Sequence, residues 1–511
     1  MKKYCFLLLS LAFSGLSLAQ ALPLATPESQ GISSKAISNF IEAANKSKNE
    51  FHSFVLIRHG KQIASGWWSP YARELKHTLY STSKSFTSTA IGFAVQEKLL
   101  TVNDPVLSFF PEFKPDTISP NLGNMKVKDL LTMATGQYPE PIQIIATSDN
   151  WVKDFLKVAV PNEPGLKFNY NSMATYMLSA IIQKITGTKL LDYLKPRLFD
   201  PLGITEADWE TNPAGINTGG WGLRLNTESM ARFGQFYLDK GKWKGVQILN
   251  PSWIEEATTA QIHQWPEWVS PNTNQAESDW MQGYGYQFWR CRNNAYRADG
   301  AFGQYIVVLP EKNAVIAITC ETSDMQDEIN LVWNHLLPEF KNEPLAENPA
   351  AYADLQNQLN TLALPVAKSN VKRKELRKIK NQVFIPAEND EYLAFRLQPA
   401  GKNLRLIMDR KDGRYITSFS NTGWTKGETT FTGPSLLEAA RNNHSGIGPL
   451  KTAGHFYKAA DGSLVMQMRY IESPHTRTFR FNFESNANSV TITPSNNPRQ
   501  SKTLVLIRSK N

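Results

Sequence analysis

The chain has 511 residues, 41% hydrophobic and 20% charged, which is too long for one ordinary domain and excludes a small scaffold without a sizeable core. Its formal charge of +9 is unevenly placed: residues 367–511 hold 24 Lys or Arg against 11 Asp or Glu, and residues 22–366 hold 29 against 35, so any pull on polyanions belongs to the C-terminal part. Beyond residue 21 the only cysteines are Cys291 and Cys320, which excludes a disulfide framework and a zinc motif, although an oxidising compartment could pair the two.

At the N-terminus, Lys2 and Lys3 precede an apolar run from Cys5 to Leu18, and Ala19 and Ala21 form a small-x-small cleavage pattern. The run falls short of the roughly 20 residues that span a bilayer. Residues 1–21 therefore read as an export signal, with a mature chain from Leu22 in the periplasm or outside the cell. No later segment is apolar for long enough to span.

Next, Phe54 to Gly66 reads as two strands about a tight turn at His59-Gly60. From Ser81, apolar residues recur at helical spacing at Phe86, Ala90, Ile91, Phe93, Ala94 and Leu99, which predicts a buried helix with Ser81 at its start. Further helices are expected in "MKVKDLLTMAT", in "ATYMLSAIIQKITG" ending at Gly187, and in "NTESMARFGQFYLDKG", capped by Asn226 or Thr227 and ended by Gly241. Residues 260–279 are polar, contain Trp, and read as a long surface loop near a cleft. Strands return at "YGYQFWRC", "QYIVVLP" and "AVIAITC", the last two joined by a turn at Glu311-Lys312-Asn313.

The stretch 346–380 turns rich in Ala, Pro and Asn and then basic, as a linker or solvated helix would. Beyond it, segments such as "YLAFRLQPAG", "NLRLIMDRKDG", "LVMQMRYIE" and "TFRFNFE" alternate between Gly and Asn turns, which predicts an antiparallel β domain over 381–511, a small barrel or sandwich. Residues 22–345 form the α/β (α+β) unit, an antiparallel sheet flanked by helices. No fixed repeat is present.

A serine hydroxyl is a poor nucleophile at neutral pH and needs an adjacent base, which a lysine becomes when burial lowers its pKa. Ser81-Thr82-Ser83-Lys84 supplies both groups on one helix face, with the Ser81 N–H at the helix start free to stabilise an oxyanion. The spacing alone is weak, since roughly two occur by chance in a chain this long. Ser369 and Lys372 form another, but in a basic, solvated stretch, whereas Ser81 opens a buried helix behind a hairpin. Tyr170-Asn171-Ser172, after Pro164-Gly165 and before a helix, offers a phenol for proton transfer.

The order Ser81-x-x-Lys84, then Tyr170-x-Ser172 about ninety residues on, then a Gly-rich strand before "LPEKNAVIAIT" resembles the serine β-lactamase and DD-peptidase superfamily, especially its class C and esterase branch. The resemblance covers roughly residues 25–340 and includes "LLTMATG", "LFDPLGI", "GGWGLRLNTESMARFGQFYL" and "DGAFGQYIVVLPEK". It implies a β-lactamase/transpeptidase-like fold in which Ser81 forms an acyl-enzyme, Lys84 takes its proton and Tyr170 assists transfer to the leaving group and from water. Ser172 would hydrogen-bond Lys84 or substrate, and Ala301 would give the second oxyanion N–H.

The third motif departs from that pattern. Where the family often presents Lys-Thr-Gly or His-x-Gly, this chain has Ala298-Asp299-Gly300, an acid in place of a cation. That disfavours a β-lactam carboxylate and suits a neutral ester, amide or short peptide. Arg297 could substitute, but a strand neighbour is expected on the opposite face. No metal or organic cofactor is expected.

Other readings have less behind them. "LIRHG" at 56–60 matches the histidine phosphatase triplet, but its His59-Gly60 fits the hairpin turn. A non-catalytic module that binds a cell-wall or peptide ligand is the rival kept open by Asp299. No Gly-x-Ser-x-Gly elbow and no phosphate loop are present, and His52, His59 and His77 read as structural or surface residues. The basic charges of the C-terminal part lie along alternating strands, so they suit solvated faces or contact with an anionic envelope surface, and no nucleic-acid partner is expected.

Overall fold

Two left-handed residues, His59 (φ 48°) and Gly60 (φ 71°), turn the chain between β1 (Glu50–Arg58) and β2 (Lys61–Trp67), because such a pair matches the twist of the flanking strands. The computed structural model describes residues 22–509 except 267–268, 370, 372–374, 376–381, 402, 438–439, 442–443 and 484–487. The signal expected at 1–21 lies outside the described residues, as do two positions of the 260–279 loop. His59 is a turn residue, its ring 3.2 Å from the side-chain oxygen of Gln30.

Strands β3 (Trp289–Arg290), β4 (Tyr296–Gly300), β5 (Gln304–Leu309) and β6 (Ala314–Glu321) complete a six-stranded antiparallel sheet, in the order β2-β1-β6-β5-β4-β3. Side chains alternate between its faces. Phe54, Leu56, Val307, Ile316 and Ile318 join one core with α1 (Ser34–Lys46). Val55, Ile57, Ile306, Val315 and Ala317 join another with α2 (Ser83–Gln96), α3 (Ser172–Thr186) and α4 (Thr227–Leu238). Covered on both faces, the strands read as continuous apolar runs.

Helix α2 ends before Leu99, which is 44% exposed; the chain turns out at Lys98 (φ 58°), so Leu99 does not belong to the buried face. The cap of α4 is Asn226, whose side chain accepts from the Ser229 N–H. After α5 (Met325–His335), part of the stretch expected as a linker or solvated helix is α6 (Pro349–Asn360), which is packed and not solvated: its Leu355 and Leu359 are buried with α1 and β2 residues. Leu355 and Leu359, one helical turn apart, form its apolar stripe, and Leu362 and Leu364 just beyond it continue the same packing. Cys291 and Cys320 are both buried and free, so the pairing left open by the sequence does not form.

The C-terminal unit is a β-barrel. Its strands are β7 (Val383–Pro386), β8 (Tyr392–Ala400), β9 (Asn403–Arg410), β10 (Gly413–Ser420), β11 (Thr425–Thr429), β12 (Leu450–Lys458), β13 (Leu464–Tyr470), β14 (Thr476–Phe483), β15 (Asn488–Pro494) and β16 (Lys502–Arg508). They pair in the order β10-β9-β8-β7-β16-β15-β14-β13-β12-β11, and Ser420 of β10 meets His455 of β12 to close the ring. Phe395, Leu397, Leu404, Leu406, Met466, Met468, Phe479 and Phe481 fill the interior, while Arg396, Arg405 and Arg480 alternate outward.

A polar seam joins the barrel to the first sheet. Arg469 of β13 donates to Glu50 at 2.5 and 2.7 Å, and Arg224 pairs with both Asp208 and Glu472. His52 and His77 are buried there, 3.1 Å apart. Among the described residues no helix is long and apolar enough to cross a membrane.

Candidate active site

The nucleophile candidate sits on a single 3₁₀ turn, Tyr80–Thr82, that leads into α2. Thr82 Oγ1 donates to the Gln304 carbonyl of β5 at 2.7 Å, and Ser83 Oγ accepts from the Leu223 N–H, so neighbouring elements hold the turn on both sides. Lys84, one turn on, is 2% exposed, and its Nζ lies 3.0 Å from Ser81 Oγ, 3.2 Å from Ser172 Oγ and 2.7 Å from the Gly220 carbonyl. Burial lowers its pKa from the ordinary 10.5 to about 7, against the opposing pull of the Glu140 and Asp299 carboxylates. A neutral amine has two N–H donors and one lone pair. With Gly220 and Ser172 as acceptors, the lone pair is left for the Ser81 hydroxyl.

Gly220 reaches Lys84 because a Cβ there would stand 2.6 Å from the Ser172 carbonyl. Only glycine lets that backbone lie so close to the start of α3. The "GGWG" segment was legible as a resemblance, yet nothing in its composition announced a carbonyl partner for lysine.

Asn171 caps α3 through the Met173 and Ala174 N–H groups, which fixes its two neighbours. On one side the Tyr170 hydroxyl hydrogen-bonds Ser81, and its ring lies 4.9 Å from Lys84 Nζ and stacks on Trp289. Burial pushes the phenol above its ordinary range, so it stays protonated at neutral pH. On the other side, the Ser172 N–H donates to Glu140 Oε1 at 2.5 Å.

The third motif closes the opposite wall. Gly300 packs where a Cβ would meet the Leu79 carbonyl at 2.1 Å, so β4 lies directly against the turn that carries Ser81. Ala301 follows at the strand end, in a turn completed by Phe302 (φ 66°) and Gly303 (φ 87°). Asp299 is 8% exposed and receives Arg297 Nε at 2.8 Å. Arg297 thus lies on the same strand face as Asp299, two residues on, and on the opposite face from its neighbour Ala298, which packs into the helix-covered core. Its fully buried guanidinium sits 4.4 Å over Trp280, behind the cleft wall, where it neutralises Asp299 instead of meeting a ligand.

Ser81, Tyr170, Ser172, Asp299 and Ala301 thus line one cavity of about 700 Å³, with Lys84 buried under Ser81, while Gly300 packs against Leu79 and does not line it. Sequence reasoning missed several other lining residues: Glu140, Trp289, Met325 and, from the barrel, Leu436 and Leu437. The last two lie more than 260 positions from Tyr170, and no local pattern could have brought them there. Val269 brings the 260–279 region to the cleft, as expected, and Trp280 lines it just beyond that loop. Among the described residues no His, Cys, Asp and Glu cluster could hold a metal ion.

This is the fold and nucleophile geometry of a serine hydrolase with a transpeptidase-like domain. Residues 50–336 match the Beta-lactamase family, more than half of the chain, and the protein belongs to it. The chain is 21% identical over 282 residues to 6-aminohexanoate-dimer hydrolase of Paenarthrobacter ureafaciens, covering 52% of this chain and 71% of that one. It is 25% identical over 178 residues to a beta-lactamase of Yersinia enterocolitica, covering 35% of this chain and 42% of that one. Among solved structures, a penicillin-binding protein homologue from Pyrococcus abyssi aligns with a TM-score of 0.46 and 19% identity, over 85% of this chain and 98% of that one.

Proposed function

We propose that the protein hydrolyses an ester, amide or short peptide through a Ser81 acyl-enzyme. Neutral Lys84 accepts the Ser81 proton as Oγ attacks the carbonyl carbon, and the N–H groups of Ser81 and Ala301 receive the developing oxyanion. Tyr170 delivers a proton to the departing alkoxide or amine, and the ester is then hydrolysed by water whose proton returns through the same groups. Ser172 holds Lys84 in register, and Asp299 and Gly300 shape the pocket.

The observation that carries this reading is the contact of 3.0 Å between Ser81 Oγ and a fully buried lysine whose pKa lies at about 7. A base poised at the working pH is what a serine nucleophile requires. With Arg297 engaged by Asp299, no cation of that pair is left for a lactam carboxylate, which favours neutral acyl donors. We also propose export, on the pattern of residues 1–21. The test is a panel of p-nitrophenyl esters, D-amino-acid amides and a chromogenic cephalosporin on wild type and Ser81→Ala, with fluorophosphonate labelling of both. Turnover and stoichiometric labelling that vanish in Ser81→Ala support the enzyme; no turnover and no labelling of wild type would leave the non-catalytic binding module.

A further inference from the structure

Two non-glycine residues with left-handed backbone flank the two proposed oxyanion donors: Tyr80 (φ 47°) precedes Ser81, and Phe302 (φ 66°) follows Ala301. Such conformations are unfavourable for large side chains and persist only where the surroundings over-determine them. Here both side chains converge on one residue of the barrel, His475, in the turn between β13 and β14. Its Nε2 lies 2.5 Å from the Tyr80 hydroxyl, and its ring meets the Phe302 ring edge-on, with centroids 4.7 Å apart. Tyr80 and Phe302 also pack on each other, at 5.4 Å.

His475 is itself fully buried and held from behind. Nδ1 lies 2.7 Å from Oε1 of Glu321, at the end of β6, and the same oxygen accepts from Ser495 Oγ at 2.6 Å. A carboxylate only accepts, so Nδ1 carries the proton and Nε2 receives the Tyr80 O–H. The result is an ordered chain, Glu321 to His475 to Tyr80, which enters the site from the barrel side.

We propose that the C-terminal barrel completes the catalytic centre through His475, a positioning residue that sets the Ser81 and Ala301 N–H groups by holding Tyr80 and Phe302. This rests on the oxyanion role given to those two N–H groups above. The barrel is then a part of the acyl-transfer machinery, since the strained turns on both sides of the oxyanion pocket share its histidine.

Full-length Tyr80→Phe, His475→Ala and His475→Gln, assayed with a p-nitrophenyl ester, test it. Tyr80→Phe keeps the ring and removes the hydrogen bond; kcat is expected to fall at least tenfold, with KM within twofold and an unchanged Tm. His475→Ala should lose as much or more, the double variant no more than His475→Ala alone, and His475→Gln, which can donate to Glu321 and accept from Tyr80, should recover most of the rate. A Tyr80→Phe enzyme with wild-type kcat, or one impaired in KM alone, overturns the proposal even if the histidine variants fail to fold. Ser81→Ala run beside them separates the two claims: if it stays active the acyl-enzyme reading has failed, and if it is dead while Tyr80→Phe is normal only the role of His475 has.

Discussion

Burial determines what Lys84 can do. An ammonium removed from water loses solvation, so the neutral form gains, and the nearby carboxylates of Glu140 and Asp299 recover only part of the difference. The acid limb of the kcat/KM profile should therefore have its midpoint near pH 7, and Lys84→Ala should lose at least about 10²-fold in acylation rate while remaining folded. The linked stability effect has a definite sign. Lys84 is protonated in the unfolded chain up to about 10.5 but loses its proton in the folded chain near 7, so folding gains with rising pH across that window. Replacing it in Lys84→Met should stabilise most below pH 7, with the gain shrinking towards pH 10; a pH-independent difference in urea midpoints would contradict this. The Ser81-x-x-Lys84 pair was legible from its spacing and helical context, but Gly220 as partner was not, because the contact joins segments 136 positions apart.

Elements bring these residues together by close backbone approach. The turn at 301–303 can lie beside Ser81 only because β4 ends in a glycine against the Leu79 carbonyl. Gly300→Ala should cost about 1–3 kcal/mol in stability, as overpacking typically does, and slow fluorophosphonate labelling by forcing strand and turn apart. Unfolding and labelling measured on one preparation would show whether both change. The barrel loop acts on the other rim, where Leu436 and Leu437 join Trp280 and Trp289. A pocket wall of this kind should favour longer acyl chains by up to about 0.8 kcal/mol, or roughly fourfold in kcat/KM, for each buried CH₂. Leu437→Ala should flatten that series from acetyl to octanoyl esters without changing the acetyl rate.

At the scale of the whole molecule, the barrel and the hydrolase domain meet through charge. Burial raises the Glu50 pKa, but hydrogen bonds from His52 and Arg469 outweigh it and hold the carboxyl well below its ordinary 4.5. A depressed carboxyl stabilises the fold above pH 4.5 and loses that contribution as the pH falls. Wild type should thus lose stability on acidification below pH 4.5 more steeply than Glu50→Gln, measured by thermal unfolding across pH 3–6. Arg469→Ala takes both guanidinium hydrogen bonds from a carboxylate that is 32% exposed and keeps its contact with His52, and should cost about 1.5–3 kcal/mol. The two thiols, Cys291 and Cys320, should react with a thiol reagent only after unfolding, since both are buried and burial raises their pKa values.

The linear chain alone determined the sheet-and-helix class of the first unit, the β character of the second, and the nucleophile, base and phenol candidates, because periodicity, turn residues and short spacings are local and are written where they act. Tertiary structure decided the rest. Folding docked residues 349–360 as a packed helix, closed the barrel at Ser420 and His455, brought Leu437 to a cleft that opens beside Ser81, and set His475 against Tyr80. These are contacts between distant segments, made by the burial of whole faces, and no window along the sequence contains both partners.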